Sequence, residues 1–275
     1  MAALLHEQPV TGVVLSVPAP LTDAQLVTVH ERDYVQAIRT GAPSGLADGA
    51  GFAWDPGLWT SVCASNGGAV AAARAALQSG TNAGSLSCGL HHARRDSGRG
   101  FCMFNRLALA ARAAIDDGAR HVLVLDLDAH CGGGTASIVA AWPQVTHVDV
   151  SVSSFDSYVP AARQTLQVVS RAHDYLPTIA AALDAMPTPC DLVIYNAGMD
   201  PHEHSAIGGL RGVTRETLAE REHLVCAWAR GRGIPVAFVL AGGYASPRLS
   251  REALAGLHRL TVAAAADVAK AIEPL

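Results

Sequence analysis

Four apolar runs stand out along the chain: residues 121–127 (HVLVLDL), 145–152, 191–195 (DLVIY) and 235–240 (PVAFVL). Short β-rich runs of this kind suit strands of a parallel sheet covered on both faces. Between them lie helical patterns, clearest over 68–77, 105–117, 176–186 and 214–230. Asp116-Asp117-Gly118 closes the second of these, and Thr214 suits the N-cap of the last, with Glu216 placing negative charge in its first turn. Alternating strands and helices predict a three-layer α/β/α architecture around a mostly parallel sheet. No repeat or low-complexity linker interrupts the pattern, so a single domain over 1–275 is expected.

In such sheets ligands bind outside the carboxyl ends of the strands. The polar clusters of this chain fall there. Asp126-Leu127-Asp128-Ala129-His130 follows the first run, Asn196-Ala197-Gly198-Met199-Asp200 the third, and Ala241-Gly242-Gly243-Tyr244 the fourth.

Composition narrows the function classes. Twenty basic against 24 acidic residues give a net charge of −4, and no concentrated basic surface suggests nucleic acid as a partner. The densest basic stretch, Arg94 to Arg99, is short, contains Asp96 and reads as a solvated loop. No apolar run is long enough for a membrane span, and the N-terminus lacks the pattern of a signal peptide, so a cytoplasmic protein is expected. None of the six cysteines forms a CxxC pair, which argues against a zinc ribbon or a thioredoxin-type site. Gly132-Gly133-Gly134-Thr135 lacks the lysine of a phosphate loop, and neither GxSxG nor HExxH occurs.

Asp126, Asp128 and His130 alternate, which on extended backbone puts all three side chains on one side. Each aspartate alone could cap a turn. Three such groups at the end of an apolar strand are costly to bury unless paired or bound to metal. Asp200 completes an Asp/His/Asp set, three ligands with a fourth position for water, as in catalytic metal sites. Adjacent His91 and His92 can act as base and electrostatic partner, although His pairs on surfaces are common. His202 and His204 compete with them and are placed on the rim. Tyr244, behind two glycines, can reach a substrate carbonyl and donate to a developing oxyanion, or else anchor its loop.

At these positions the chain resembles the histone deacetylase superfamily, which includes bacterial deacetylase-like amidohydrolases and acetylpolyamine amidohydrolases. GLHHARRDSGRGFCMFN (89–105) is similar to the family's G-x-HHA and GFC-x-x-N segment, and LDLDAHCGGGT (125–135) to its DxDxHHGxGT. NAGMDPHEHSAIGGLRGVT (196–214) resembles AGxDxHxxDPLGxLxxT, and AGGY (241–244) resembles GGGY. Weaker matches cover 19–34 and 55–70, so the motifs run in family order over most of the chain. The resemblance implies the arginase–deacetylase fold and a zinc amidohydrolase, ferrous iron being an alternative ion, acting on a small acylated amine or an acyl-lysine. It implies Asp128, His130 and Asp200 as metal ligands, His91 and His92 as the catalytic pair and Tyr244 as carbonyl polariser. It puts Phe101 on the wall of a substrate tunnel with Cys131 beside it, and a structural potassium or sodium ion at Asp126 and Ser151.

The departures cluster at the rim. Cys131 stands where the family usually has a second histidine, Arg106 replaces an acid, and Ser153 stands where a histidine is frequent. The segment after Ser151 is shortened and changed, and His6-Glu7-Gln8-Pro9 is a faint echo of an HPE motif. A shorter rim leaves room for an open pocket or for a wall supplied by a second subunit, so a homo-oligomer is compatible with it. Two other readings compete: a two-manganese ureohydrolase, which would need a DAHxD segment where this chain has Gly132, and a non-catalytic metal-binding relative.

Overall fold

The computed structural model describes residues 1–186 and 190–270. Six strands form one sheet: β1 (Ala83–Ser85), β2 (Val122–Asp126), β3 (Val145–Ser151), β4 (Gln164–Val168), β5 (Leu192–Ala197) and β6 (Val236–Leu240). Their order is β1-β6-β5-β2-β3-β4, and every neighbouring pair is parallel. The helices are α1 (Ala2–Glu7), α2 (Asp23–Leu26), α3 (Arg32–Thr40), α4 (Ser44–Ala47), α5 (Leu58–Ser79), α6 (Arg106–Asp116), α7 (Gly133–Val139), α8 (Ala172–Asp184), α9 (Arg215–Arg230) and α10 (Arg251–Lys270).

Period two on the strands makes three layers. On β2, Val122 and Val124 enter a core shared with α3, α5 and α6, while Leu123 and Leu125 enter one shared with α8, α9 and α10. Both faces are covered, which is why β2, β3, β5 and β6 are buried throughout.

The four expected strands are β2, β3, β5 and β6. Thr214 caps α9 by accepting from the Thr217 N–H, with Glu216 in the first turn, and Asn105 caps α6 through the Ala108 N–H. Beyond expectation are the short β1, the largely exposed edge strand β4, the helices α7 and α10, and the start of α5 ten residues before the expected pattern at 68.

A buried network fastens the α9 layer to the loop after β2. Arg221, fully buried, pairs with Glu222, and its Nη1 donates to the Leu127 carbonyl (3.2 Å) and the Tyr175 hydroxyl (3.0 Å). Tyr195 donates to the same Glu222 carboxylate (2.9 Å).

Candidate active site

The carboxyl ends of β2 and β5 bring Asp128, His130 and Asp200 together, all buried, with their ligand atoms within 4.8 Å of one another. His130 Nδ1 faces Asp128 Oδ1 and Asp200 Oδ2, each at 3.1 Å. One proton on that nitrogen can satisfy only one carboxylate. Asp200 Oδ2 has no hydrogen-bond partner although it is buried. A divalent cation would satisfy all three groups, so the donor set fits a metal. The other oxygens are fixed: Asp200 Oδ1 accepts from the Ala129 N–H (3.0 Å) and Asp128 Oδ2 from the Gly242 N–H (2.9 Å). Gly242 must lack a side chain, since a Cβ there would lie 2.2 Å from Asp200 Oδ2 and 2.5 Å from Asp128 Oδ2.

The His pair lies against this cluster, with ring centroids 4.0 Å apart. Its loop is pinned by the Asn105 amide, which donates to the His91 and Ala93 carbonyls at 3.1 and 2.9 Å. His91 Nδ1 donates to Asp126 Oδ2 (2.8 Å), and its Nε2 lies 3.5 Å from Asp128 Oδ1. His92 Nδ1 is paired with Asp156 Oδ2 at 3.1 Å. Burial alone would make both rings hard to protonate. For His91 the Asp126 and Asp128 carboxylates overcome it and raise the pKa well above the usual value. For His92 burial and the neighbouring His91 win over Asp156, and the pKa falls to about 4. The environments thus push the two pKa values in opposite directions.

Tyr244 is half-buried on the loop after β6. Burial, then the Asp200 and Asp128 carboxylates, raise its phenol pKa and keep it protonated as a donor. Phe101 is exposed, with backbone φ +65°. A second ring, Phe155, stands edge-on to His92 and His130 at 5.0 and 5.9 Å. His202 and His204 lie near each other but belong to neither group of candidate metal ligands among the described residues. A cavity of about 310 Å³ between α1 and α10, lined by Leu4, Gln8, Arg215, Glu252 and Arg259 among others, contains none of these groups and is assigned no part in the chemistry.

Residues 1–260 match the family model of the histone deacetylase domain. The chain belongs to the histone deacetylase family. An uncharacterised protein of Picosynechococcus sp. is 36% identical over 236 residues, covering 81% of this chain and 76% of the relative. Histone deacetylase 2 of Arabidopsis thaliana is 26% identical, covering 88% and 67%. The crystal structure of an acetylpolyamine aminohydrolase from Burkholderia pseudomallei superimposes with a TM-score of 0.76 at 19% identity, covering 97% of this chain and 89% of that one. Likeness at that identity shows the arginase–deacetylase fold and no more.

Against the family pattern the departures acquire places. Cys131, expected beside the tunnel, is fully buried: its thiol donates to the Ser153 carbonyl (3.2 Å) and its N–H to the Phe155 carbonyl (3.0 Å). It thus lies behind the rim loop rather than on an open wall. Burial, then Asp149, pushes its pKa up to about 12, which leaves little reactive thiolate. Arg106 is buried and donates to the Cys88 carbonyl. Gly132, where a ureohydrolase would need a carboxylate, offers only its N–H, to Asp149 (2.7 Å). Ser151 donates to Asp149 Oδ1 (2.5 Å), and no hydrogen bond to Asp126 is seen.

Sequence reasoning missed Asp156 and Phe155. Asp156 takes a left-handed backbone (φ +59°), and Arg94 and Arg99 hold its other oxygen at 2.6 and 3.4 Å. It lies 64 residues from His92 in a changed segment, and no spacing in the sequence relates the two.

Proposed function

We propose that the chain is a metal-dependent deacylase that hydrolyses a linear acyl-amide, an acetylated amine or acyl-lysine-like substrate, with the ion held by Asp128, His130 and Asp200. Zinc and ferrous iron both suit two carboxylates and an imidazole. The observation that carries the reading is the His91–His92 pair set against a buried Asp/His/Asp cluster in a chain of the histone deacetylase family.

When bound, a divalent ion supplies Lewis acidity to the water and the carbonyl. The neutral His92 accepts the proton of the attacking water at Nε2, because Asp156 occupies Nδ1. His91, tied to Asp126 through Nδ1, tunes its neighbour or shares its role. Tyr244 donates its phenol proton in a hydrogen bond to the developing oxyanion. His92 then passes its proton to the departing nitrogen, giving a carboxylic acid and a free amine. Phe101 and Phe155 offer flat walls that suit an extended alkyl chain.

The test is a panel of acetylpolyamines, acyl-lysine peptides and acylated amino sugars, offered to protein of defined metal content, with His92→Ala as control. Metal-dependent amine release that His92→Ala abolishes is the expected result. Inertness of fully metal-loaded protein across the panel would overturn the reading.

A further inference from the structure

A second group of potential ligands lies beneath the first. We propose that Asp126, His147 and Asp149 form a separate, structural site for a divalent transition ion. All three are fully buried, and their ligand atoms lie within 4.8 Å of one another.

The sheet builds the group. Asp126 on β2 pairs in register with Asp149 on β3, and His147 precedes Asp149 by two residues on the same face. Two carboxylates are thus set side by side in the interior. Asp126 is held by His91 at Oδ2 and by the Asn196 amide (2.7 Å) and the Asp128 N–H (3.2 Å) at Oδ1. Asp149 has no cationic partner among the described residues, and a buried carboxylate without counter-charge is expensive.

The imidazole sharpens the argument. The Tyr158 hydroxyl lies 3.3 Å from His147 Nδ1 and donates to the Thr165 carbonyl (3.3 Å). Nδ1 is thus engaged at Tyr158. Nε2, by contrast, is buried and has no partner. A ring nitrogen left unpaired beside two buried carboxylates marks a position that an ion would fill. Gly132 closes the group from the helix side: a Cβ there would lie 2.5 Å from Asp126 Oδ2 and 3.4 Å from His147 Nε2. Its N–H and the Ser151 hydroxyl hold the two oxygens of Asp149.

One nitrogen and two carboxylates suit a first-row transition ion, whereas alkali ions take oxygen ligands. The group shares no ligand with Asp128, His130 and Asp200, so it is not half of a binuclear centre. His91 stands between them, on Asp126 through Nδ1 and near Asp128 through Nε2. An ion on Asp126 would restrain the carboxylate that orients His91. This assignment does not depend on the deacylase reading.

Elemental analysis of the full chain, equilibrated with zinc in potassium buffer and desalted, tests it. Wild type is expected to hold two zinc ions, and His147→Gln, Asp149→Asn and His130→Ala one each. The combination of His130→Ala with His147→Gln is expected to hold none. One ion in wild type that only His130→Ala removes overturns the second site and leaves the deacylase reading standing. One ion that only His147→Gln removes supports the second site and undermines the first. Should the variants fail to fold, zinc-edge anomalous scattering from wild-type crystals decides: a peak against His147 Nε2 supports the site, and its absence beside a peak at His130 refutes it.

Discussion

Asp156→Asn isolates the geometry on which the base depends. The Asp156 carboxylate, almost fully buried, accepts through Oδ2 from His92 Nδ1 (3.1 Å) and the Gly134 N–H (3.2 Å), while Oδ1 faces Arg94 and Arg99. A carboxylate only accepts, so the His92 proton must sit on Nδ1 and the lone pair on Nε2. In the asparagine variant the two arginines, which only donate, claim the amide oxygen. The amide NH₂ then faces His92 and selects the opposite tautomer, with Nε2 protonated and unable to accept. A histidine locked in the wrong tautomer costs up to about 10⁴ in kcat in serine proteases, and loss of an outer-shell partner about 10–100-fold. We therefore expect kcat to fall by about 10²–10⁴, some 3–5 kcal/mol of transition-state stabilisation. Metal content should hold, because Asp156 does not belong to the Asp/His/Asp group. The amide NH₂ also confronts the Gly134 N–H, so a stability loss of about 1–3 kcal/mol accompanies the change. Asp156 raises the His92 pKa, so any residual activity should persist to lower pH, not higher. Steady-state kinetics with pH profiles and a denaturation curve measure all of this. A folded variant within threefold of wild-type kcat would refute the argument.

Tyr244→Phe should lower kcat by about 10²–10³ with metal content intact, by analogy with the loss of other oxyanion donors; a near-normal rate in the loaded variant would remove Tyr244 from the chemistry. Gly242→Ala forces a methyl against both metal-site carboxylates and should lose metal by elemental analysis while the sheet persists by circular dichroism. Arg221→Ala strands the Glu222 carboxylate in the core and should cost about 3–5 kcal/mol in a denaturant titration. Stability should also fall below pH 6.5 through His30, whose Nδ1–H donates to the Arg94 carbonyl (2.8 Å) and whose Nε2 accepts from the Asn105 N–H (2.9 Å). Burial drops its folded pKa to about 4, so between pH 6.5 and 4 the unfolded chain binds the extra proton. The contribution is complete above pH 6.5, and about 2 kcal/mol of it is gone by pH 5. His30→Gln should flatten that part of the stability profile.

The Asp128–His130–Asp200 cluster and the His pair were legible as groupings because their residues are adjacent, or sit at the ends of apolar strands in family order. β1 and β4 were not. One is three residues long, and the other is an edge strand, QTLQV, that buries too little to carry an apolar pattern. The glycine run 132–134, which lacks the lysine of a phosphate loop, enters α7. Its glycines serve close approach, since a Cβ on Gly133 would meet the Asp156 carbonyl at 2.3 Å and one on Gly134 the His92 carbonyl at 2.4 Å. His147, Asp149 and Ser151 alternate inside the apolar run 145–152, with the same period that singles out Asp126, Asp128 and His130. Asp156 had no such signal, because its partners converge on it only when the sheet has formed.

The segment after β3 departs most from the family pattern, yet the structure does not make it a loose rim. Cys131 ties it down twice, at Ser153 and Phe155, and Gly133, Gly134, Arg94 and Arg99 close on Asp156. The same few residues therefore supply an aromatic wall beside His130 and the carboxylate that orients His92. Substrate selection and base positioning are thereby coupled through backbone. A change that moved the loop to admit a bulkier acyl group would also shift Asp156 out of its left-handed conformation and away from His92. The exposed Phe101 side chain carries no such linkage, whereas the Phe155 ring lies edge-on to His92 and under Arg99, which also holds Asp156. Changes of substrate range should therefore be reachable by substitution at Phe101, with kcat on small acyl groups preserved, and not by lengthening or shortening the loop.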